Sequence, residues 1–276
     1  MLKSNDIILV PWDFTPFAEN SLYHAVQLAK VAGNSITLLH VVPKGGWFSG
    51  RKKNKEKIEE ARIKLTSKAE DIYYVYEIKP EVIVREGNIH KTIKDVVSEI
   101  KANLIVMGPH YEIEHSKIDV INFIKLMSNS NVPFIITQEP PAHTHYVEIV
   151  VPIEYEKKYK ETLRWIIYLA KYYKCNINFI KPYISDPYNK KLMDNNIYFT
   201  KKMLDSKNIV YGIKTAKRKK EFREEIFNFS TKIDADLILI MSKRYNRYVK
   251  DNKYRTSIPL MVINPRADLI KYQKFY

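Results

Sequence analysis

Short apolar runs alternate along the chain with segments whose apolar residues recur every three or four positions. "IILV" (7–10) and "LIVM" (104–107) are continuous apolar runs of strand length, whereas Leu22, Ala25, Val26 and Ala29 lie at helical spacing. In the first half the pattern predicts strands near 6–12, 35–42, 80–85, 103–108 and 133–137. Helices are predicted between them, near 16–32, 54–74, 89–101 and 116–130. The first helix carries its own punctuation: Thr15 can cap it, Pro16 suits its first turn, and Gly33 can end it. Strands that are continuously apolar, rather than alternating, fit a parallel sheet covered on both faces. Alternation of β and α predicts right-handed crossovers and a doubly wound α/β sheet.

The pattern then repeats. Val10-Pro11 falls on Val151-Pro152, and Leu28-Ala29-Lys30 on Leu169-Ala170-Lys171, both at an offset of 141 residues. The helical stripe is kept, with Leu163, Ile166, Ile167 and Ala170 in the second copy. Ala102-Asn103-Leu104-Ile105 matches Ala235-Asp236-Leu237-Ile238 at an offset of 133, and "VPFIIT" (132–137) matches "IPLMVI" (258–263) at 126. Two tandem domains are expected, 1–140 and 146–276, joined near "QEPPAHTHY" (138–146), where prolines and polar residues interrupt the pattern.

Composition narrows the class. With 45% apolar and 28% charged residues among 276, a packed core is expected and disorder is excluded. No apolar run approaches the roughly 18 residues that a membrane span needs. "MLKSNDIILVPWD" reads as a first strand rather than a signal peptide. The expectation is a cytoplasmic protein without membrane association. A single cysteine, Cys175, excludes an internal disulfide and a Cys-rich metal site, and its default role is a small structural residue.

Net charge is +15, a field that attracts polyanions. The basic runs "RKKNKEK" (51–57) and "KTAKRKKEFR" (214–223) carry no groove-reading or aromatic RNA-platform motif. A solvated surface in a chain rich in Lys, Asn, Ile and Tyr, as AT-rich genomes produce, is the favoured reading, with nucleic acid as the alternative partner.

Several landmarks now fall in order. A strand ending Val-Pro-x-Asp is followed by a helix with "A..LA" and a strand ending "LLHVV". Later come "EG" before a helix, a strand ending "LIVMG", and a last strand starting Val-Pro. In this order and spacing the first half resembles the universal stress protein family, and the second half resembles it in weaker outline. The resemblance implies two five-stranded parallel sheets of order 3-2-1-4-5 with helices on both faces. Its ligand position is the crevice beyond strands 1 and 4. In nucleotide-binding members the aspartate and neighbouring strand ends hold adenosine; Gly-x-x-Gly, about nine residues and Gly-Ser or Gly-Thr hold the phosphates. Pro11, Asp13, Val41, Met107 and Gly108 match the adenosine side. The resemblance also implies pairing through the last strands, here "VPFIIT" with "IPLMVI" inside one chain, and a homodimer of whole chains.

The phosphate loop departs from this pattern. A phosphate cradle needs consecutive inward N–H groups, and glycines let the backbone approach. The loop reads Gly108-Pro109-His110-Tyr111, so a tyrosine stands for the second glycine and Pro109 lacks an N–H. Val120-Ile121-Asn122 stands where Gly-Ser should be, and no glycine occurs between Gly108 and Gly212. His110, His115 and Lys117 can supply donors in place of lost amides. In the second copy Glu154 replaces Asp13 and Met241 replaces Gly108. Its loop region is also seven residues shorter, since the offset falls from 133 to 126. Lys243, Arg244 and Arg247 are expected on a solvated face.

Other chemistry is missing. All seven histidines precede residue 146, and His143-x-His145 sits in the linker, where a surface loop is the expectation. There is no Gly-x-Ser-x-Gly, Walker or His-Glu-x-x-His motif. The expected function is therefore non-enzymatic, without catalytic or metal residues and without a cofactor. The alternative is an adenine-nucleotide sensor or weak ATPase using domain 1. Its candidate residues are Pro11, Asp13, Val41, Met107, Gly108, His110 and Lys117.

Overall fold

A computed structural model describes residues 6–44, 51–113, 116–127, 130, 132–218, 220–249 and 257–264. The chain divides into two compact units, the first of residues 1–128 and 132–141, the second of 129–131 and 142–276. The first unit runs β1 (Ile7–Pro11), α1 (Pro16–Ala32), β2 (Ser35–Val42), α2 (Arg51–Tyr76), β3 (Glu81–Glu86), α3 (Ile89–Glu99) and β4 (Leu104–Met107). It continues through β5 (His110–Ile113), β6 (Ser116–Asp119), α4 (Val120–Met127) and β7 (Phe134–Ile136). Its main sheet has the order β3-β2-β1-β4-β7, with every described pairing parallel. This is the expected 3-2-1-4-5 arrangement.

Local chemistry sets these elements. Thr15 Oγ1 accepts from the Ala18 N–H at 3.4 Å, and Pro16 opens α1. Gly33 closes the helix at φ 71°, its N–H donating to the Ala29 carbonyl at 2.8 Å. Asn88 caps α3 through the Lys91 N–H at 3.1 Å. Right-handed crossovers put α1 and α2 on one face, where Lys68 of α2 pairs with Glu19 and Lys30 of α1 lies 4.6 Å from the Tyr76 ring centre. The apolar stripe Leu22, Ala25, Val26 and Ala29 is buried under this layer.

One predicted element differs. Residues 116–119 do not begin a helix; β5 and β6 form an antiparallel hairpin with Tyr111 opposite Ile118, and the helix starts only at Val120. The cause is visible in "HYEI", which alternates polar and apolar residues at a strand's period of two, and in "SKID", whose single apolar residue, Ile118, gives no helical stripe.

The second unit runs β8 (Glu148–Pro152), a 3-10 turn (Lys157–Thr162), α5 (Leu163–Tyr172), β9 (Asn176–Lys181), α6 (Pro187–Asp205) and β10 (Tyr211–Thr215). α7 (Phe222–Lys232), β11 (Leu237–Met241), a 3-10 turn (Ser242–Arg244), α8 (Tyr245–Val249) and β12 (Leu260–Ile263) follow. The sheet order is β10-β9-β8-β11-β12, again 3-2-1-4-5. Registers repeat residue for residue: Ile8 opposite Ile36 and Leu104 becomes Ile149 opposite Ile177 and Leu237. Leu163, Ile166 and Ile167 are buried, while Ala170 is half-buried. Cys175 is buried, and burial pushes its thiol up to about 12, so it is an inert packing residue as expected.

Candidate functional site

In each unit the crevice lies beyond two neighbouring strands from which the chain departs in opposite directions, β1 and β4 or β8 and β11. In the first unit the backbone there is committed to the fold. The Trp12 N–H donates to the Leu39 carbonyl at 2.8 Å, and the Thr137 N–H donates to the Met107 carbonyl at 2.9 Å. His40 Nδ1 donates to the Trp12 carbonyl at 2.8 Å. Asp13 Oδ1 accepts from the Thr15 N–H at 3.0 Å and from Thr15 Oγ1 at 2.6 Å. Asp13 thus braces the residue that caps α1.

Between them stands Phe14, held at φ 62° although it is bulky. A non-glycine residue at positive φ costs about 1–3 kcal/mol and persists only where its surroundings fix it. Its ring centre lies 4.8 Å from His40 and 6.3 Å from Trp12, and it remains 43% exposed. A cleft of about 220 Å³ opens beside it, lined by Phe14, His40, Val42, Pro43, Lys57 and Ala61 among others. That is smaller than the roughly 300 Å³ lower bound of ordinary small-molecule sites.

The predicted residues are distributed around this point. Pro11 ends β1, Met107 ends β4 and Gly108 follows it, while Val41 precedes the last residue of β2. Val41 and Met107 are each 1% exposed, so their side chains serve as strand-end core. None of Pro11, Asp13, Val41, Met107 or Gly108 lines the small cleft, which sits on the α2 side of β2. His110 and Lys117 lie on opposite strands of the β5–β6 hairpin. Their side chains, and the whole of His115, fall outside the described residues. The hairpin occupies the stretch where a phosphate loop would follow Gly108. An antiparallel ribbon directs its amides by turns toward and away from the partner strand, whereas a cradle needs successive amides facing one point.

In the second unit the equivalent place is filled by the chain's own charges. Glu154, at the position of Asp13, is buried. It accepts a hydrogen bond from the Tyr248 hydroxyl and pairs with Arg244 Nη2 at 3.3 Å. Arg244 also pairs with Glu156, and Asn196 Nδ2 donates to the carbonyls of Glu154 (2.6 Å) and Glu156 (3.0 Å). Burial pushes the Glu154 carboxyl above its ordinary value, opposed by the Tyr248 hydrogen bond and the Arg244 charge. Arg244 is 7% exposed, which corrects the expected solvated position; Lys243 and Arg247 are exposed as expected. A carboxylate buried beside Ile153 requires a cation, and the residues after the neighbouring strand are where one can stand. That was the available signal, but no spacing rule pairs residues 154 and 244.

His143 is also held by acids rather than left in an open loop. Its Nδ1 lies 2.6 Å from Asp236 Oδ1 and its Nε2 lies 3.0 Å from Asp234 Oδ2. Asp236 Oδ2 accepts from the N–H groups of Val147 (2.7 Å) and Glu148 (2.9 Å), fixing the entry to β8. Among the described residues no three His, Cys, Asp or Glu side chains converge as a metal site would require, and no helix is long and apolar enough to cross a membrane.

Comparison with known proteins gives a consistent placement. Residues 4–119 match the model of the Universal stress protein family. A universal stress protein of Synechocystis is 33% identical over 101 residues, a match that covers 37% of this chain and 64% of that relative's length. A solved universal stress protein from Archaeoglobus fulgidus matches 96% of this chain and 98% of its own, with a TM-score of 0.71 at 16% identity. A universal-stress-type protein from Pseudomonas aeruginosa matches 95% and 94%, with a TM-score of 0.56 at 13% identity. At such identities the two structures show a shared fold, and the likeness runs through both units. Residues 4–119 of the first unit thus match the universal stress protein family, the fold of both units is the one those solved proteins share, and the second unit repeats the strand order, register and crevice position of the first.

Proposed function

We propose that the chain is a non-enzymatic tandem universal stress protein that acts in the stress response through its surfaces, with the ATP phosphate loop lost in both units. The observation that carries this reading is the β5–β6 hairpin, which takes the chain straight from Gly108 into a paired ribbon. The Glu154–Arg244 pair supports the same reading in the second unit. On this account the protein needs no cofactor, resides in the cytoplasm and assembles as a homodimer of 32.6 kDa chains.

A second reading has its own support: Pro11, Asp13, Val41, Met107 and Gly108 sit at the carboxyl ends of β1, β2 and β4, where adenosine could dock without a phosphate grip. This would make the first unit an adenine-nucleotide sensor. Native mass spectrometry of protein purified without added nucleotide separates the two. The leading reading predicts chains, alone or paired, with no nucleotide-sized adduct. An adduct of AMP or ATP mass that disappears in Asp13→Ala would establish the second.

A further inference from the structure

The two units differ in charge far more than in fold. Residues 1–141 carry 18 Lys and Arg against 17 Asp and Glu, net +1; residues 142–276 carry 28 against 14, net +14. A genomic bias toward lysine would load both halves alike, so the near-neutral first unit is an internal control against that explanation. Many of the second unit's acids are also engaged internally. Arg244 holds Glu154 and Glu156, and His143 holds Asp234 and Asp236. Asp186 caps α6, Asp205 accepts from Tyr211, Glu148 accepts from Asn176 and Asn178, and Glu225 accepts from the Lys217 N–H. Lys217, Arg218, Lys220, Lys243 and Arg247 are among the cations that face solvent.

Their arrangement has a focus. β10 forms one edge of the sheet beside β9, with Thr215 opposite Lys181. Just beyond the carboxyl ends of these two strands, Tyr183 is 47% exposed and the Arg218 guanidinium lies 5.2 Å from its ring centre. Tyr188, in the first turn of α6, is 69% exposed. Lys217, Arg218 and Lys220 are exposed, with Lys220 only loosely paired to Glu224 at 3.7 Å. This rim follows the carboxyl ends of β9 and β10, whereas the crevice lies beyond β8 and β11. Exposed aromatic faces interleaved with cations match a single-stranded polynucleotide, whose phosphates take the charges while its unstacked bases lie on rings. A duplex hides its base faces, and a membrane surface selects an amphipathic helix with a broad apolar face.

We propose that the second unit binds single-stranded nucleic acid along this rim, through Lys181, Tyr183, Tyr188, Lys217, Arg218 and Lys220. The interaction is independent of any nucleotide in the first unit. Fluorescence anisotropy of the full chain with a labelled oligothymidylate tests it. For about four phosphates at a single-strand slope of roughly −0.7 each, affinity falls about 50-fold between 50 and 200 mM salt. The combined changes Lys217→Glu, Arg218→Glu and Lys220→Glu abolish binding, and the milder Lys217→Gln, Arg218→Gln and Lys220→Gln set weakens it, with circular dichroism and melting unchanged. Tyr183→Ala with Tyr188→Ala weakens single-strand binding about tenfold or more while leaving duplex binding unmoved. The proposal is overturned by no binding at 50 mM salt or by binding indifferent to the charge changes. Equal loss of single-strand and duplex binding in the tyrosine variant, or binding to anionic lipid vesicles alone, overturns it equally.

Discussion

Glu154 and Arg244 show how a single residue change can alter what a fold offers. Where the first unit has Asp13 bracing Thr15 at the rim of its crevice, the second has a longer carboxylate that is buried and paired. Removing one member of a buried pair leaves the other charge uncompensated, whereas replacing both with apolar residues is often close to neutral. Arg244→Met is therefore expected to destabilise the protein by about 3 kcal/mol in urea denaturation, with most of the loss recovered when Glu154→Leu is added. His143 supplies a pH prediction. Its pKa is raised, first by the Asp236 hydrogen bond and next by the Asp236 charge, with Asp234 adding to both. Both ring nitrogens face carboxylates, so only the imidazolium satisfies both. A raised folded-state pKa gives stability that is full below the ordinary histidine value of 6.5 and lost as pH climbs through the raised value. The difference in melting temperature between wild type and His143→Ala should be largest near about pH 6 and shrink by about pH 8.5. A difference constant over that range would contradict the bridge.

At the scale of elements, pattern was enough wherever one periodicity held over a whole segment. The cap, first turn and stop of α1 were readable because Thr15, Pro16 and Gly33 each have a backbone role that few residues fill as well. Thr15→Ala should cost about 1 kcal/mol, seen as a lower urea midpoint, and more if Asp13 also loses its bonded partner. Residues 110–119 were harder to place. The expected helix over 116–130 merged a short alternating stretch with the apolar run that follows it, and a two-strand ribbon leaves too few residues for its period to stand out. The Asp13 position is legible as a strand-end site on the sheet, and the structure gives it the bracing of Thr15. The pair across residues 154 and 244 was not legible, because the two meet only after β8 and β11 align.

At the scale of the whole molecule, two copies of one fold have diverged in what surrounds their crevices. The repeated registers, Ile8 with Ile36 and Leu104 against Ile149 with Ile177 and Leu237, show that the sheet framework was kept. The charge was not kept: a total of +15 conceals a near-neutral first unit and a second that carries almost all of the excess. The proposed loss of a phosphate grip rests in the first unit on the hairpin that follows Gly108 and in the second on the pairing of Arg244 with Glu154. Isothermal titration calorimetry of the full chain with ATP and magnesium tests this most directly. The account predicts no saturable heat at ligand concentrations up to about 1 mM, a level that would reveal even a site worth only about −4 kcal/mol. Saturable binding that weakens when the triphosphate is replaced by adenosine, and that vanishes in Asp13→Ala, would contradict it.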